Sequence, residues 1–376
     1  MIMEQKKQSR ARLWWLIPLL LGTIYVFYRN HNATEENSYQ KNTGMIFGTI
    51  YHFTYQYPKD LKSEIEEELK RFDASLSPFN PNSIITKINL NEDILTDTLF
   101  QNVFRRSMEI SEQTDGAFDI TIAPLANAWG FGFKKGEWPD SLMIDSLVKL
   151  TDYRNVKLVE GKVIKKDPRI MISCSAIAKG YASDVIADFL SRKGIKNYMV
   201  EIGGEIAVKG VNPHSETWSI GINKPTEGQL LNQELQMVIK ISDVGLATSG
   251  NYRNFYYRDG KKYAHTIDPR TGYPVLHNLL SATVIAKDCM TADALATAFM
   301  VMGLEKAEEY VNTHPDIYAY FIYDAGDGKY DVKMSRDMEK YISFVPIDEK
   351  FYFSEYVSPT YFAHEQIYKR KSISKQ

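Results

Sequence analysis

Cysteine is almost missing from this chain, with only Cys174 and Cys289 among 376 residues. At most one disulfide can form, two buried thiols are the open alternative, and neither sulfur suits a hard cation, which prefers oxygen. No G-x-G-x-x-G and no Walker A string occurs, so the common dinucleotide and P-loop fingerprints are excluded. There is no basic stripe and no internal repeat, and the formal net charge is only -2. Electrostatic capture of nucleic acid is thereby excluded, as is a solenoid. At 44% hydrophobic and 24% charged residues, the remainder has the composition of an ordinary globular protein.

Long apolar runs are scarce too, and the exception lies at the amino terminus. Lys6, Lys7, Arg10 and Arg12 precede an uncharged segment from Leu13 to Tyr28, with Trp14 and Trp15 near one end and Tyr25, Phe27 and Tyr28 at the other. As a helix it would span about 24 Å, slightly less than a hydrocarbon core of about 30 Å. Flanking aromatics and snorkelling can make up the difference. Arg29-Asn30-His31-Asn32 offers no small-residue cleavage site, so residues 13–28 read as an uncleaved transmembrane signal-anchor. The basic residues 1–12 would stay on the cytoplasmic side. Residues 29–43 are a polar tether, and 44–345 are long enough for one substantial domain. Beyond it, residues 346–376 carry Phe351-Tyr352-Phe353 and then Lys369-Arg370-Lys371, an aromatic and basic extension with no assigned role.

Inside the domain, chemistry-bearing residues gather in a few strings. His265-Thr266-Ile267-Asp268-Pro269-Arg270-Thr271-Gly272-Tyr273-Pro274 joins an imidazole to a turn punctuated by two prolines and a glycine. His265 should sit at a rigid loop mouth, where sites are commonly built; a polar hairpin connection is the plain alternative. Thr291-Ala292-Asp293-Ala294-Leu295-Ala296-Thr297 runs into an apolar stretch that stops at Gly303, which predicts a capped helix with a C-terminal glycine. Asp293 and Thr297 share one face, while Leu295, Phe299 and Met302 can face the core. A carboxylate and a hydroxyl on one face suit a hard cation, although each could instead serve its own helix.

Ser173 to Asp184, following Ile170-Met171-Ile172, predicts a strand, a small-residue turn and a helix. Lys179 would put a cation near a helix N-terminus, where phosphate could also bind. Thr114-Asp115-Gly116-Ala117-Phe118-Asp119 begins at a turn and continues as strand-like alternation to Leu125; Asp119 could accept hydrogen bonds from a heterocycle or simply cap the turn. Glu201-Ile202-Gly203-Gly204-Glu205 and Ala247-Thr248-Ser249-Gly250-Asn251 look like places where a ligand approaches the backbone.

Taken in order with Phe47-Gly48-Thr49 and Ser77-Pro78-Phe79-Asn80-Pro81-Asn82-Ser83, these strings resemble the ApbE family of FAD:protein FMN transferases. The resemblance implies an α+β fold in which two interwoven lobes hold FAD in the cleft between them. It also implies a Mg²⁺-dependent enzyme that splits the FAD pyrophosphate, joins FMN by a phosphodiester to a threonine or serine of another protein, and releases AMP. By that resemblance Asp293 and Thr297 are metal ligands, with main-chain oxygens of Ala176 and Ala296 completing the shell. Phe47, Phe79, Ala117, Phe118, Asp119, Lys179 and Ile267 correspond to FAD-contacting positions, and His265 is the candidate for activating the acceptor hydroxyl. Phe79 stands where many relatives have tyrosine, so a hydroxyl is lost there; FAD pyrophosphatase is the alternative activity and non-catalytic FAD binding a further one. The chain has no Asp-Gly-x-Thr/Ser-Gly-Ala-Thr/Ser string of its own. The acceptor is therefore expected to be another protein that carries one, a membrane redox subunit, with the catalytic domain on the periplasmic side of a bacterial inner membrane and no nucleic-acid partner.

Overall fold

The computed structural model describes residues 20–23, 38–132, 138–223, 235–251, 255–258, 261–326 and 329–343. The chain runs through β1 (Tyr39–Ile46), β2 (Thr49–Gln56), α1 (Lys62–Leu76), α2 (Ile84–Asn89), α3 (Thr98–Gln113), α4 (Ala123–Ala128) and α5 (Ser141–Val148). It continues with β3 (Val156–Val159), β4 (Lys162–Lys165), α6 (Ala178–Arg192), β5 (Tyr198–Ile202), β6 (Glu205–Lys209), β7 (Trp218–Asn223), β8 (Leu235–Ile241) and β9 (Val244–Gly250). The last elements are β10 (Phe255–Arg258), β11 (Lys261–Ala264), β12 (Leu279–Ala286), α7 (Cys289–Met302), α8 (Leu304–Thr313), β13 (Tyr318–Gly326), β14 (Lys329–Met334) and β15 (Ile342–Ser343).

Eight strands form one sheet in the order β1-β2-β5-β6-β9-β12-β13-β14, antiparallel at every pairing. Four come from each side of residue 210, and the two sides meet where Ile206 of β6 pairs with Leu246 of β9. The expected α+β architecture is thus present, but in the sheet the two parts of the chain lie side by side and join at that seam rather than interweave. Side-chain alternation gives the sheet two apolar faces. On β12, Ala282, Val284 and Ala286 face the helices, whereas Ile285 faces a smaller sheet of order β15-β8-β7. Trp218, Ile220 and Ile222 of β7 bury every second residue against that second face.

Helices α6 and α7 lie on the first face, with α1 packed outside α6 through Phe72 and Tyr181, whose ring centroids are 5.7 Å apart. Almost every residue of α7 is buried, as expected for a helix that is apolar all round. Each large side chain such as Leu295 or Phe299 contributes roughly 1.5–3 kcal/mol by leaving water. Met302, expected in the core, is only half-buried against it.

Four local expectations are corrected. The tether assigned to 29–43 ends earlier, because Tyr39 already pairs with Gln56; the polar side chains mislead, since Asn42 is buried and bonded to Asp60 and Tyr55. The helix bearing Asp293 begins at Cys289, capped by the Asp288 side chain, which accepts from Thr291 N–H at 2.8 Å. Phe118 to Leu125 is no strand: Asp119 turns the chain and α4 starts at Ala123 with Pro124 in its first turn, where a missing N–H costs nothing. Nor is Ile170–Ile172 a strand, because the Asn89 side chain supplies both backbone bonds to Ile172 that a neighbouring strand would have made.

Both cysteines are free and buried, the thiol alternative, and burial pushes Cys174 up to about 12. Among the described residues no helix is long and apolar enough to cross a membrane. Of the expected anchor at 13–28 only residues 20–23 are described, as helix; the rest of it, and the extension at 346–376, lie outside the described residues.

Candidate active site

The site depends on how closely α6 and α7 approach. A Cβ on Gly180 would lie 2.3 Å from the Cys289 carbonyl oxygen and 2.7 Å from Asp293 Cβ, and one on Gly245 would lie 2.2 Å from Cys289 N. Only glycine lets α6 and β9 clamp the first turn of α7 from two sides. That turn is also held electrostatically. Asp184 of α6 accepts from Cys289 N–H at 2.9 Å and from Met290 N–H at 2.7 Å, so two of the helix's free amides are satisfied from a neighbouring element. Asp293 then accepts from Gly180 N–H at 2.9 Å.

Against this frame lies a cleft of about 440 Å³, whose walls include Phe79, Phe118, Asp119, Ala176, Lys179, Glu205, Ser249, His265, Ile267, Asp293 and Thr297. Its centre is charged. Lys179, on the first turn of α6, makes an ion pair with Glu205, which opens β6 after the tight Gly203-Gly204 turn. Burial pushes the carboxyls of Glu205 and Asp293 up, and the Lys179 ammonium pulls both back down. Burial lowers Lys179 in turn, but Glu205 and Asp293 outweigh it and hold the ammonium above its ordinary range. The second carboxylate oxygen of Glu205, Oε2, is buried without a hydrogen-bond partner, which is costly unless something else compensates it.

His265 follows β11 directly, at the cleft wall, half-buried, with its ring centroid 6.3 Å from that of Phe131. The turn after it is rigid, as its prolines and glycine predicted. Asp268 N–H donates to the Tyr273 carbonyl and Val275 N–H to the Thr266 carbonyl, and Thr266 Oγ1 reaches Asn251 at 2.6 Å. Trp129 Nε1 donates to the Gly272 carbonyl at 2.8 Å, tying the turn to α4.

Most residues expected to act together do converge: Phe79, Ala117, Phe118, Asp119, Ala176, Lys179, His265, Ile267, Asp293 and Thr297 all line this cleft. Thr297 Oγ lies 3.3 Å from Ser249 Oγ. Phe79 is 73% exposed, as suits a ring at the mouth. Phe47 does not reach the wall. It occupies a left-handed hairpin tip (φ 52) and packs on Phe72 at 5.3 Å, a conformation that costs a bulky residue about 1–2 kcal/mol. Ala296 is fully buried inside α7, away from the wall. The Asp119 carboxylate is mostly committed to the protein: Oδ1 accepts from Thr121 N–H and Oγ1 in its own turn, and Oδ2 from the distant Tyr153 N–H, leaving one lone pair for a ligand. Two members were missed. Glu205 and Ser249 lay in strings read only as backbone approaches, and period-two alternation from the Gly-Gly turn was the available signal.

Among the described residues no group of three or more His, Cys, Asp and Glu side chains is placed to hold a metal. What α7 offers the cleft is instead one carboxylate, Asp293, and one hydroxyl, Thr297, with the Ala176 backbone on the facing wall. An all-oxygen set with few protein carboxylates fits a hard cation that keeps waters or substrate phosphates in its shell.

An α+β protein whose antiparallel sheet backs a charged cleft, with oxygen donors on one helix and a loop histidine on the wall, has the form of a small-molecule binding or active site. The family profile described as "ApbE family" matches residues 47–321, and the chain belongs to that family. It is 38% identical to the FAD:protein FMN transferase of Vibrio cholerae over 278 residues, 70% of this chain and 81% of that protein. It is 35% identical to the Escherichia coli K12 protein of the same name, over 71% of this chain and 78% of that one. The solved flavin transferase ApbE from Vibrio cholerae superposes with a TM-score of 0.74 at 33% identity, covering 81% of this chain and 99% of that one.

Proposed function

We propose that this chain is an FAD:protein FMN transferase acting in the cleft between α6, α7 and the His265 turn. The observation that carries the reading is the convergence of Lys179, Asp293, Thr297 and His265, drawn from distant parts of the sequence, on one cavity. Asp293 and Thr297, with the carbonyl of Ala176, would hold Mg²⁺; Ala296, buried inside α7 away from the wall, is left out of the set. When bound, the ion would supply charge neutralisation for the phosphates. Lys179 would fix the diphosphate by charge, and Phe79 would cover the flavin at the mouth. His265 would take the proton from the acceptor threonine or serine hydroxyl, whose oxygen bonds to the phosphorus of the FMN half while the bond to the AMP phosphate breaks.

The acceptor is a separate protein with an Asp-Gly-x-Thr/Ser-Gly-Ala-Thr/Ser-like segment, a redox subunit at the membrane. Residues 13–28 would anchor this enzyme in a bacterial inner membrane with the domain on the periplasmic face; the uncharged run behind four basic residues supports this reading. Carbonate extraction of membranes should leave the full chain in the pellet and release a chain lacking residues 1–28. The transferase reading is tested by mass spectrometry of such an acceptor after incubation with FAD and Mg²⁺. An FMN adduct on the hydroxyl residue, absent with Asp293→Ala, is expected; AMP and free FMN without an adduct would replace transfer by hydrolysis.

A further inference from the structure

We infer that Glu205 is a positioning residue that holds the Lys179 ammonium away from Asp293, so that the Asp293 carboxylate stays available to a cation. The inference rests on the metal assignment proposed above and extends it to a residue outside the donor set. Lys179 has two carboxylates within electrostatic reach, Glu205 and Asp293, and it makes its ion pair with Glu205. The helices leave it little choice of neighbourhood. Gly180, the next residue, abuts Asp293, so a long amine released from Glu205 would find Asp293 as the nearest counter-charge. A lysine paired to Asp293 would compete directly with a divalent cation.

Glu205 is placed to prevent that. Its carbonyl accepts from Ser183 Oγ at 3.0 Å, one helical turn beyond Lys179 on α6, so β6 and α6 are locked at the level of the pair. Its side chain is 5% exposed, whereas that of Lys179 is 34% exposed. The carboxylate is therefore the fixed partner and the amine the movable one. Glu205 Oε1 meets the Lys179 ammonium, while Oε2 has no protein hydrogen-bond partner among the described residues, so no other described donor competes with Lys179 for this carboxylate.

The test is a double-mutant cycle read by calorimetric Mg²⁺ titration of the full chain in detergent, without FAD, so that catalysis is not the readout. Glu205→Gln should raise the Mg²⁺ dissociation constant about tenfold, a coupling of ordinary size for contacting charges. Lys179→Met should restore tight binding in the Glu205→Gln background while changing the parent much less. A local packing defect would not be repaired by deleting a lysine, and simple addition of distant charges would give the same gain in both backgrounds. Equal gains, or no loss in Glu205→Gln, would overturn the inference while leaving the metal assignment standing. If the parent protein does not bind Mg²⁺, the assignment fails and the inference with it.

Discussion

Replacing Asp184 with asparagine should change how the protein's stability depends on pH, because this carboxyl is the group on which two opposing effects bear most directly. It is partly buried between α6 and the start of α7, with Asp288 and Asp293 adding like charge, and burial is the largest influence, raising it from 3.8 to about 7. Two backbone amides, Cys289 N–H and Met290 N–H, pull the other way. A carboxyl whose folded value exceeds its unfolded one binds its proton more tightly in the native state. Its contribution to stability is complete below about pH 4 and is lost as pH rises through about 7. The interval from 3.8 to about 7, at about 1.4 kcal/mol per pH unit, gives a ceiling of about 4 kcal/mol. Residual exposure will reduce it. The assay is urea unfolding from pH 4.5 to 8 for the parent and Asp184→Asn, whose amide does not titrate. The difference between them should drift in favour of asparagine as pH rises. A flat difference, or one that favours aspartate at high pH, would refute the reasoning and show that the two amides and the α7 N-terminus outweigh burial.

Gly180→Ala should lower thermal stability by roughly 1–3 kcal/mol, the usual cost of overpacking, since its Cβ would overlap Cys289 and Asp293; an unchanged melting temperature would mean the helices can separate without penalty. Trp129→Phe removes the bond to the Gly272 carbonyl and should cost about 1–3 kcal/mol in urea unfolding for the buried acceptor left behind. Phe79→Ala should leave stability within about 0.5 kcal/mol, because the ring is exposed, yet weaken FAD binding measured by flavin fluorescence; equal affinity would remove Phe79 from the flavin site.

The sequence revealed which residues meet more clearly than which elements carry them. The His265 turn and the apolar run after Asp293 were legible because prolines, glycines and a helix-ending Gly303 act locally. The strand expected at Ile170–Ile172 failed because side-chain substitution for a backbone partner, here Asn89, has no local signature. Asp184 went unremarked for the same reason: its partners lie more than a hundred residues away, at Cys289 and Met290. Gly245 looks like any strand glycine until Cys289 is placed against it. Glu205 was hidden by its neighbours, since Gly203-Gly204 suggested a backbone site and drew the reading away from the carboxylate that follows.

The charges in the cleft carry one more consequence, for the order in which ligands bind. Among the described wall residues, Asp119, Glu205 and Asp293 oppose Lys179 alone. A dinucleotide bearing two phosphate charges would enter a site that is already negative, where like charges in a poorly solvated cavity repel by several kcal/mol. Burial relieves part of this by favouring the protonated carboxyls, but Lys179 opposes that protonation at Glu205 and Asp293. A divalent cation on Asp293 would shift the balance by two charges. FAD affinity should therefore be strongly Mg²⁺-dependent, falling on the order of tenfold or more when EDTA is added. By reciprocity FAD should tighten Mg²⁺ by the same factor. Flavin fluorescence titrations with and without Mg²⁺ measure the first coupling and calorimetry the second. Equal FAD affinity in both conditions would mean that Lys179 and the protonated carboxyls already balance the cleft, and that no cation is needed to admit the diphosphate.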